Sequence, residues 1–429
     1  MVRILACVLL VVVLAALPAA GQTLTLAEFL ESALASHPDV ERSALALQAA
    51  EANLASVNSE PQLALSINLG YYSVPVLHRV QGGLAASLGA ASQYGSKYSL
   101  TVDLTSKTFQ FQLMHPLFTP EIVLPHRQET AARTYACAAA RIAHQMVLEE
   151  VFHEAAQCFL NIWRLEKEGE IRRDLIAWLA AQLDITAAAH VSGIASELDL
   201  AVIKLQYEQQ VNALDRIQGE LAVERMLAVQ LYGMQPGMRL IHNPAEFSTS
   251  MLERILPFHS AHATALAELS YDWAKARMEI VRAAGGIEGE LRLNIYSDRS
   301  WSVECSFRVP LFHQAHRKQQ LEAASAELAQ AAVEMERAEL EIGCEQIYQQ
   351  VNLHTAANKR KTAAAAWDLA ICQRQIAEEQ HALGMLSFLD LLKVCEEEAN
   401  AHLAVVNAEY EHQLALIRQW LLSRSWNND

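Results

Sequence analysis

The chain has 429 residues and a formal charge of −16. Its acidic balance gives no footing for nucleic acid, and a length of this order allows roughly two or three globular domains. Apolar residues make up 52%, but many are Ala, and Gly and Pro are sparse after about residue 120; that is the profile of long helices rather than of many short strands.

The first segment reads as an export signal over 1–21. Arg3 is a short basic start, Ile4 to Leu17 is apolar, and Pro18-Ala19-Ala20-Gly21 offers small residues for cleavage before Gln22. The apolar stretch is short for a transmembrane helix; a signal anchor is the alternative. Cys7 lies inside the apolar stretch rather than at the cleavage site, so no lipoprotein signal is read. No later segment approaches the roughly 18 to 20 apolar residues of a membrane helix, so a mature chain that enters a membrane must do so as a β-barrel.

A helical segment starts at His37. A strand follows, in which Leu63, Leu65, Ile67, Leu69 and Tyr71 alternate with Ala64, Ser66, Asn68, Gly70 and Tyr72. Tyr98, Leu100, Val102 and Leu104 alternate with polar residues, and Phe109, Phe111 and Leu113 resume in the opposite phase. A bulge or bend is therefore expected near Thr105 to Thr108, with the whole hairpin spanning about 62–113. Pro116, Leu117 and Phe118 mark the junction from strand to helix. A helical hairpin is expected over about 120–234, its two arms reversing at "GIASELDL", Gly193 to Leu200.

The second half repeats this order. A helix begins at His262, and a hairpin spans about 287–309 around Tyr296 to Ser300. Pro310, Leu311 and Phe312 form the second junction, and a helical hairpin over about 313–425 reverses at "GMLSFLDL", Gly384 to Leu391. The reversals lie 191 residues apart and the Pro-Leu-Phe sites 194 apart, a period that suggests duplication of a whole half, 22–236 and 237–429. An uninterrupted helical arm of ~65 residues would extend ~100 Å. The last helix carries apolar residues in a 3-4-4 spacing and a second stripe of small residues, which suits neighbours on two sides.

Each reversal has a plain local cause. Glycine permits the backbone angles that end a helix. Ser196 and Ser387 are suitable N-caps for the return helices, and Asp199 and Asp390 fall in their first turns, where the helix dipole favours a carboxylate. Four strands cannot close a barrel, so a membrane role requires eight or twelve strands from two or three copies. No catalytic residue, metal-ligand set, Walker loop or cofactor motif is found. Cys372 and Cys395 sit symmetrically about Gly384, and both a disulfide and free thiols remain open for them.

Taken together, the early "LTLAEFLESALASHPDVERSALALQAAEANLASV", the two Pro-Leu-Phe sites and the two Gly-x5-Asp turns resemble the TolC-like outer membrane efflux proteins over nearly the whole mature chain. The resemblance implies a mainly helical fold with β: a homotrimer giving four strands per protomer to a twelve-stranded outer-membrane barrel in lipid, and long helices forming a periplasmic α-barrel. It implies a passive exit duct for tripartite efflux or type I secretion, not an enzyme. The partners would be a periplasmic adaptor and an inner-membrane efflux or ABC transporter. By motif match, Gly193, Ser196, Gly384 and Ser387 would sit at the periplasmic tip that meets the adaptor, and Asp199 and Asp390 near the closed aperture. Lys393, Leu386 and His381 depart from residues that some relatives carry there; a His381 near Asp199 would make the tip pH-sensitive. The competing reading is a periplasmic coiled-coil structural or adhesion protein without a channel.

Overall fold

The computed structural model describes residues 23–58, 63–76, 79–92, 96–104, 107–118, 120–193, 195–242, 249–256, 263–283, 288–308 and 314–423. The expected export signal and Pro310, Leu311 and Phe312 lie outside the described residues. In chain order the elements are β1 (Thr23–Thr25), α1 (Leu26–Ser36), α2 (Pro38–Asn58), β2 (Leu63–Val76), β3 (Arg79–Ser92), β4 (Lys97–Asp103), β5 (Thr108–Phe118), α3 (Pro120–Val191) and α4 (Glu197–Leu231). They continue with β6 (Arg239–Ile241), α5 (Thr249–Ile255), α6 (Ala263–Ala283), β7 (Glu288–Tyr296), β8 (Trp301–Arg308), α7 (Gln314–Ala382) and α8 (Phe388–Ser423). Two compact units result, one from 1–44, 144–261 and 342–429, the other from 45–143 and 262–341.

The first unit holds the main hydrophobic core. The N-cap Thr25 opens α1 with a capping box: its hydroxyl accepts from the Glu28 N–H, and the Glu28 carboxylate accepts from the Thr25 N–H at 2.8 Å. That fixes the helix start and turns Phe29, Leu30 and Ala33 inward. They pack with Phe152, Phe159, Leu160 and Ile162 of α3, Leu252 of α5, and Ile417 and Trp420 of α8. The Phe29 ring lies 5.5 Å from Phe159 and 5.8 Å from Tyr232. β1 and β6 pair in parallel across the same region, Leu24 opposite Leu240.

The second unit holds a six-stranded antiparallel sheet in the order β2-β3-β4-β5-β7-β8. Helices of this unit are tied laterally by polar bonds. Arg133 donates to the Asn53 carbonyl at 2.9 Å and to Ser56 at 2.7 Å, and Arg277 pairs with Glu327 at 2.7 Å. Tyr135 stacks on Trp273 at 5.5 Å.

The strand count corrects the expectation of four. Arg79–Ser92 forms a full strand, and the bend expected near Thr105 to Thr108 is a complete reversal, with Lys107 in the left-handed region at φ 54°. One long strand thus becomes the β4–β5 hairpin, which is why Tyr98 and Phe109 stand in opposite sequence phase yet belong to one face. β5 shifts register between Pro116 and Phe118 against β7. Proline has no N–H to donate, so a bulge at that point is the expected accommodation. Pro120 then opens α3, where the missing N–H is not needed by the helix.

The six described cysteines are all unbridged. Of the pair left open by the sequence, Cys372 is exposed and Cys395 is buried.

Candidate functional site

Two features stand out, one in each unit. The first is the sheet. Residues opposite each other in an antiparallel pair share a face, so the register sorts every position. One row reads Ile67, Leu88, Leu100, Phe111, Ile295, Trp301 across all six strands. The row one step along reads Ser66, Gly89, Ser99, Gln112, Asn294, Ser302. The next returns to Leu65, Ala90, Tyr98, Leu113, Leu293, Val303. Over the described side chains, from β3 to β8, one face is therefore mainly apolar and the other mainly polar.

Large apolar side chains stand exposed on the apolar face, and β8 is exposed on both faces over 301–307. On the apolar face Trp301 is 69% exposed and Phe307 61%, while Asn294 on the polar face is 8% exposed. The polar face is bonded only in part: among the described residues Asn294 Oδ1 and Arg292 Nε are buried without a partner. Asn294 donates to Ser302 Oγ at 3.1 Å, Ser99 Oγ to Gln112 at 3.5 Å, and Arg292 pairs with Glu290 at 2.9 Å and Glu304 at 3.7 Å. On the apolar face His115 lies opposite Leu291, and Ser96 Oγ lies 2.7 Å from its Nδ1.

The second feature is the pair of helix reversals. Gly193 and Gly384 adopt φ of 73° and 72°, the left-handed region where a Cβ is strained. The Gly193 N–H bonds to the His190 carbonyl at 3.0 Å, and the Gly384 N–H to the His381 carbonyl at 2.9 Å. Ser196 caps α4 with a full capping box. Its hydroxyl accepts from the Asp199 N–H at 3.1 Å, and the Asp199 carboxylate accepts from the Ser196 N–H at 3.0 Å and hydroxyl at 2.7 Å. The hydroxyl bond first, then the backbone bond, holds the Asp199 carboxyl below the usual range. Ser387 repeats the arrangement, donating to Asp390 at 2.6 Å and accepting from its N–H at 3.2 Å.

A histidine latches each turn. The His381 Nδ1 lies 3.0 Å from the Leu386 carbonyl, and the His190 Nδ1 lies 3.1 Å from the Ala195 carbonyl. A carbonyl only accepts, so both rings carry their proton on Nδ1. Sequence reasoning singled out His381 and missed His190, although both stand three residues before their glycine; that shared offset was the available signal. The described contacts of His381 are with Leu386 and the Phe388 ring, both in its own turn, and none is with Asp199. Lys393 and Asp390 are exposed and form no ion pair with each other among the described residues. Behind the second turn, Leu391 and Cys395 pack with Ala377, Trp178 and Leu386. Around the two turns Val191, Leu198, Leu383 and Met385 present apolar side chains to solvent. Pro116, Leu117 and Phe118 form the last residues of β5.

No described helix is long and apolar enough to cross a membrane. No group of His, Cys, Asp or Glu among the described residues is arranged to hold a metal.

No protein-family model and no curated protein sequence matches the chain. Solved structures do. The Campylobacter jejuni CmeC outer membrane channel superposes with a TM-score of 0.71 at 14% identity, covering 94% of this chain and 87% of that one. The Vibrio cholerae outer membrane protein VceC gives 0.68 at 16% identity, covering 92% and 94%. The open state of the Neisseria gonorrhoeae MtrE outer membrane channel gives 0.66 at 14% identity, covering 93% and 88%. The chain therefore has the fold of the TolC-like outer membrane channels.

Proposed function

We propose that the protein is an outer-membrane exit duct that passes substrates handed to it by an inner-membrane pump through a periplasmic adaptor. The observation that carries this reading is the two-faced sheet, apolar on one side, with Trp301 and Phe307 exposed there, and polar on the other. That is the pattern of a barrel wall with lipid outside and water inside. An open sheet leaves edges that lipid does not tolerate, so the wall must be completed by further copies, and a homotrimer is the assembly we propose. The long helices would continue the duct as a periplasmic tube, and each half, 22–236 and 237–429, would supply one helical hairpin.

The turns at Gly193 and Gly384 are the proposed periplasmic tip. Their exposed Val191, Leu198, Leu383 and Met385 would meet the adaptor, with Ser196 and Ser387 fixing the turn shape and Asp199 and Asp390 lying near the aperture. The duct would be passive, opened by its partners, and would serve tripartite efflux or type I secretion. A periplasmic structural or adhesion protein would share the long helices, but it leaves the exposed apolar face of the sheet without a purpose.

Fractionation tests the reading. The protein should sediment with outer membranes as a detergent-resistant trimer and conduct ions in planar bilayers. Recovery as a soluble periplasmic monomer would end it.

A further inference from the structure

In the first unit α3 packs against α8 through Trp163 and Ile171 on one helix and Ala399 and Val406 on the other. Two cavities flank this seam. One of about 160 Å³ is bounded also by α7, and one of about 240 Å³ also by α4; Ile171, Leu175 and Ala399 line both.

The cavities differ in how their charges are matched. At the smaller, Arg374 pairs with Glu398 at 3.0 Å and with Glu378 at 2.9 Å. At the larger, Arg172 supplies the positive charge, and it is already committed to Glu168 at 3.1 Å and to Gln210 Oε1 at 2.8 Å. Glu396 lines the larger cavity, and its Oε1 is buried with no hydrogen-bond partner among the described residues. Burial raises its carboxyl above the ordinary range. A buried acceptor without a donor costs free energy, and a charged one costs more.

The rest of the lining matches a particular kind of donor. Gln206, Gln209 and Asn400 offer amide oxygens beside Glu396, and Leu175 and Leu403 add an aliphatic wall. One carboxylate, several neutral amides and a hydrocarbon surface suit a group with one positive charge, three N–H donors and a short alkyl stem. A divalent metal ion is served less well, because it draws on several carboxylate or water oxygens around it.

We infer that the cavity between α3, α4 and α8 binds a short aliphatic primary amine, its ammonium on Glu396 and its alkyl stem against Leu175 and Leu403. Helices α3 and α4 come from the first helical hairpin and α8 from the second, so the ligand would tie the two hairpins together. The inference does not depend on the duct reading.

Calorimetric titration of the full-chain protein in detergent with n-butylammonium chloride tests this, with n-butanol, sodium chloride and magnesium chloride as controls. The expected result is one saturable site per chain, with a thermal midpoint that rises as the site fills and greater hydrogen-exchange protection over 396–403. Glu396→Gln should weaken binding roughly 10-fold or more, and Gln206→Leu on α4 should weaken it as well. Absence of saturable binding would overturn the inference. So would equal binding by Glu396→Gln, equal binding of n-butanol, or equal stabilisation by sodium or magnesium ions.

Discussion

His381 donates its Nδ1 proton to the Leu386 carbonyl at 3.0 Å, closing the loop around Gly384. The same turn is held by the Met385 N–H on the Gln380 carbonyl at 2.8 Å. Side-chain and backbone bonds thus brace a single reversal between two long helices.

Removing the latch should loosen the turn without melting the helices. One net hydrogen bond is worth about 0.5–1.5 kcal/mol, so His381→Ala should lower hydrogen-exchange protection of the Met385 amide roughly 3- to 10-fold. His190→Ala should do the same for the Ala195 amide, which bonds to the Ala189 carbonyl at 3.2 Å. Unchanged exchange in both would show that the histidines do not brace the turns.

The first turn should be insensitive to pH across the neutral range. Asp199 is held below the ordinary carboxylate range by Ser196. Its contribution is fully present above the unfolded value of about 3.9, and is lost only as pH falls through the depressed folded value. Protection of the Leu200 amide, bonded to the Ser196 carbonyl at 3.3 Å, should therefore stay level from about pH 8 to pH 5 and fall below about pH 4. Ser196→Ala should lower protection throughout. A transition centred near pH 6.5, the ordinary histidine value, would contradict this account.

The core of the first unit should be the most sensitive to truncation. Phe159 is fully buried, with Phe29 at 5.5 Å and His242 edge-on at 5.8 Å. Phe159→Ala should cost about 3–5 kcal/mol through lost burial and the cavity left behind. Chemical denaturation followed by tryptophan fluorescence measures it; a cost below about 1 kcal/mol would mean that the site collapses around the gap.

The thiols should separate by environment. Burial pushes the Cys158 thiol up to about 12 and the Cys395 thiol up to about 11. Thiolate is the reacting form, so buried Cys395 should react with maleimide more slowly than exposed Cys372 at neutral pH. Mass mapping should find no bridge between the two, and a Cys372–Cys395 disulfide would contradict the observed burial.

The helix reversals were legible in the sequence because only a residue free of Cβ strain fits a φ near 72°, and a Ser three residues later is a readable cap. The β7–β8 hairpin was legible too, because Trp301, Val303, Cys305 and Phe307 alternate with polar residues and Asp298 and Ser300 mark the turn. β3 was not. Its two faces read Leu84, Ala86, Leu88, Ala90 and Ala85, Ser87, Gly89, Ala91, so small residues on both sides erase the period-two contrast. The β4–β5 reversal was read as a bend because Thr105-Ser106-Lys107-Thr108 contains no glycine or asparagine, and Lys107 takes the left-handed position instead. The shared offset before each glycine singles out His190 and His381 as positions, but their bonds to Ala195 and Leu386 depend on which way each ring turns in the folded loop.

The central claim is that the sheet separates lipid from water, and two arginines on one strand test it most directly. Val303 lies on the apolar face, opposite Leu293, and Ser306 on the polar face, opposite Glu290. Val303→Arg should cost about 2–4 kcal/mol of barrel stability near the bilayer midplane and sharply reduce the folded trimer recovered from outer membranes. Ser306→Arg should leave its yield near wild type. Equal yields of the two variants, or a greater loss from Ser306→Arg, would contradict the account.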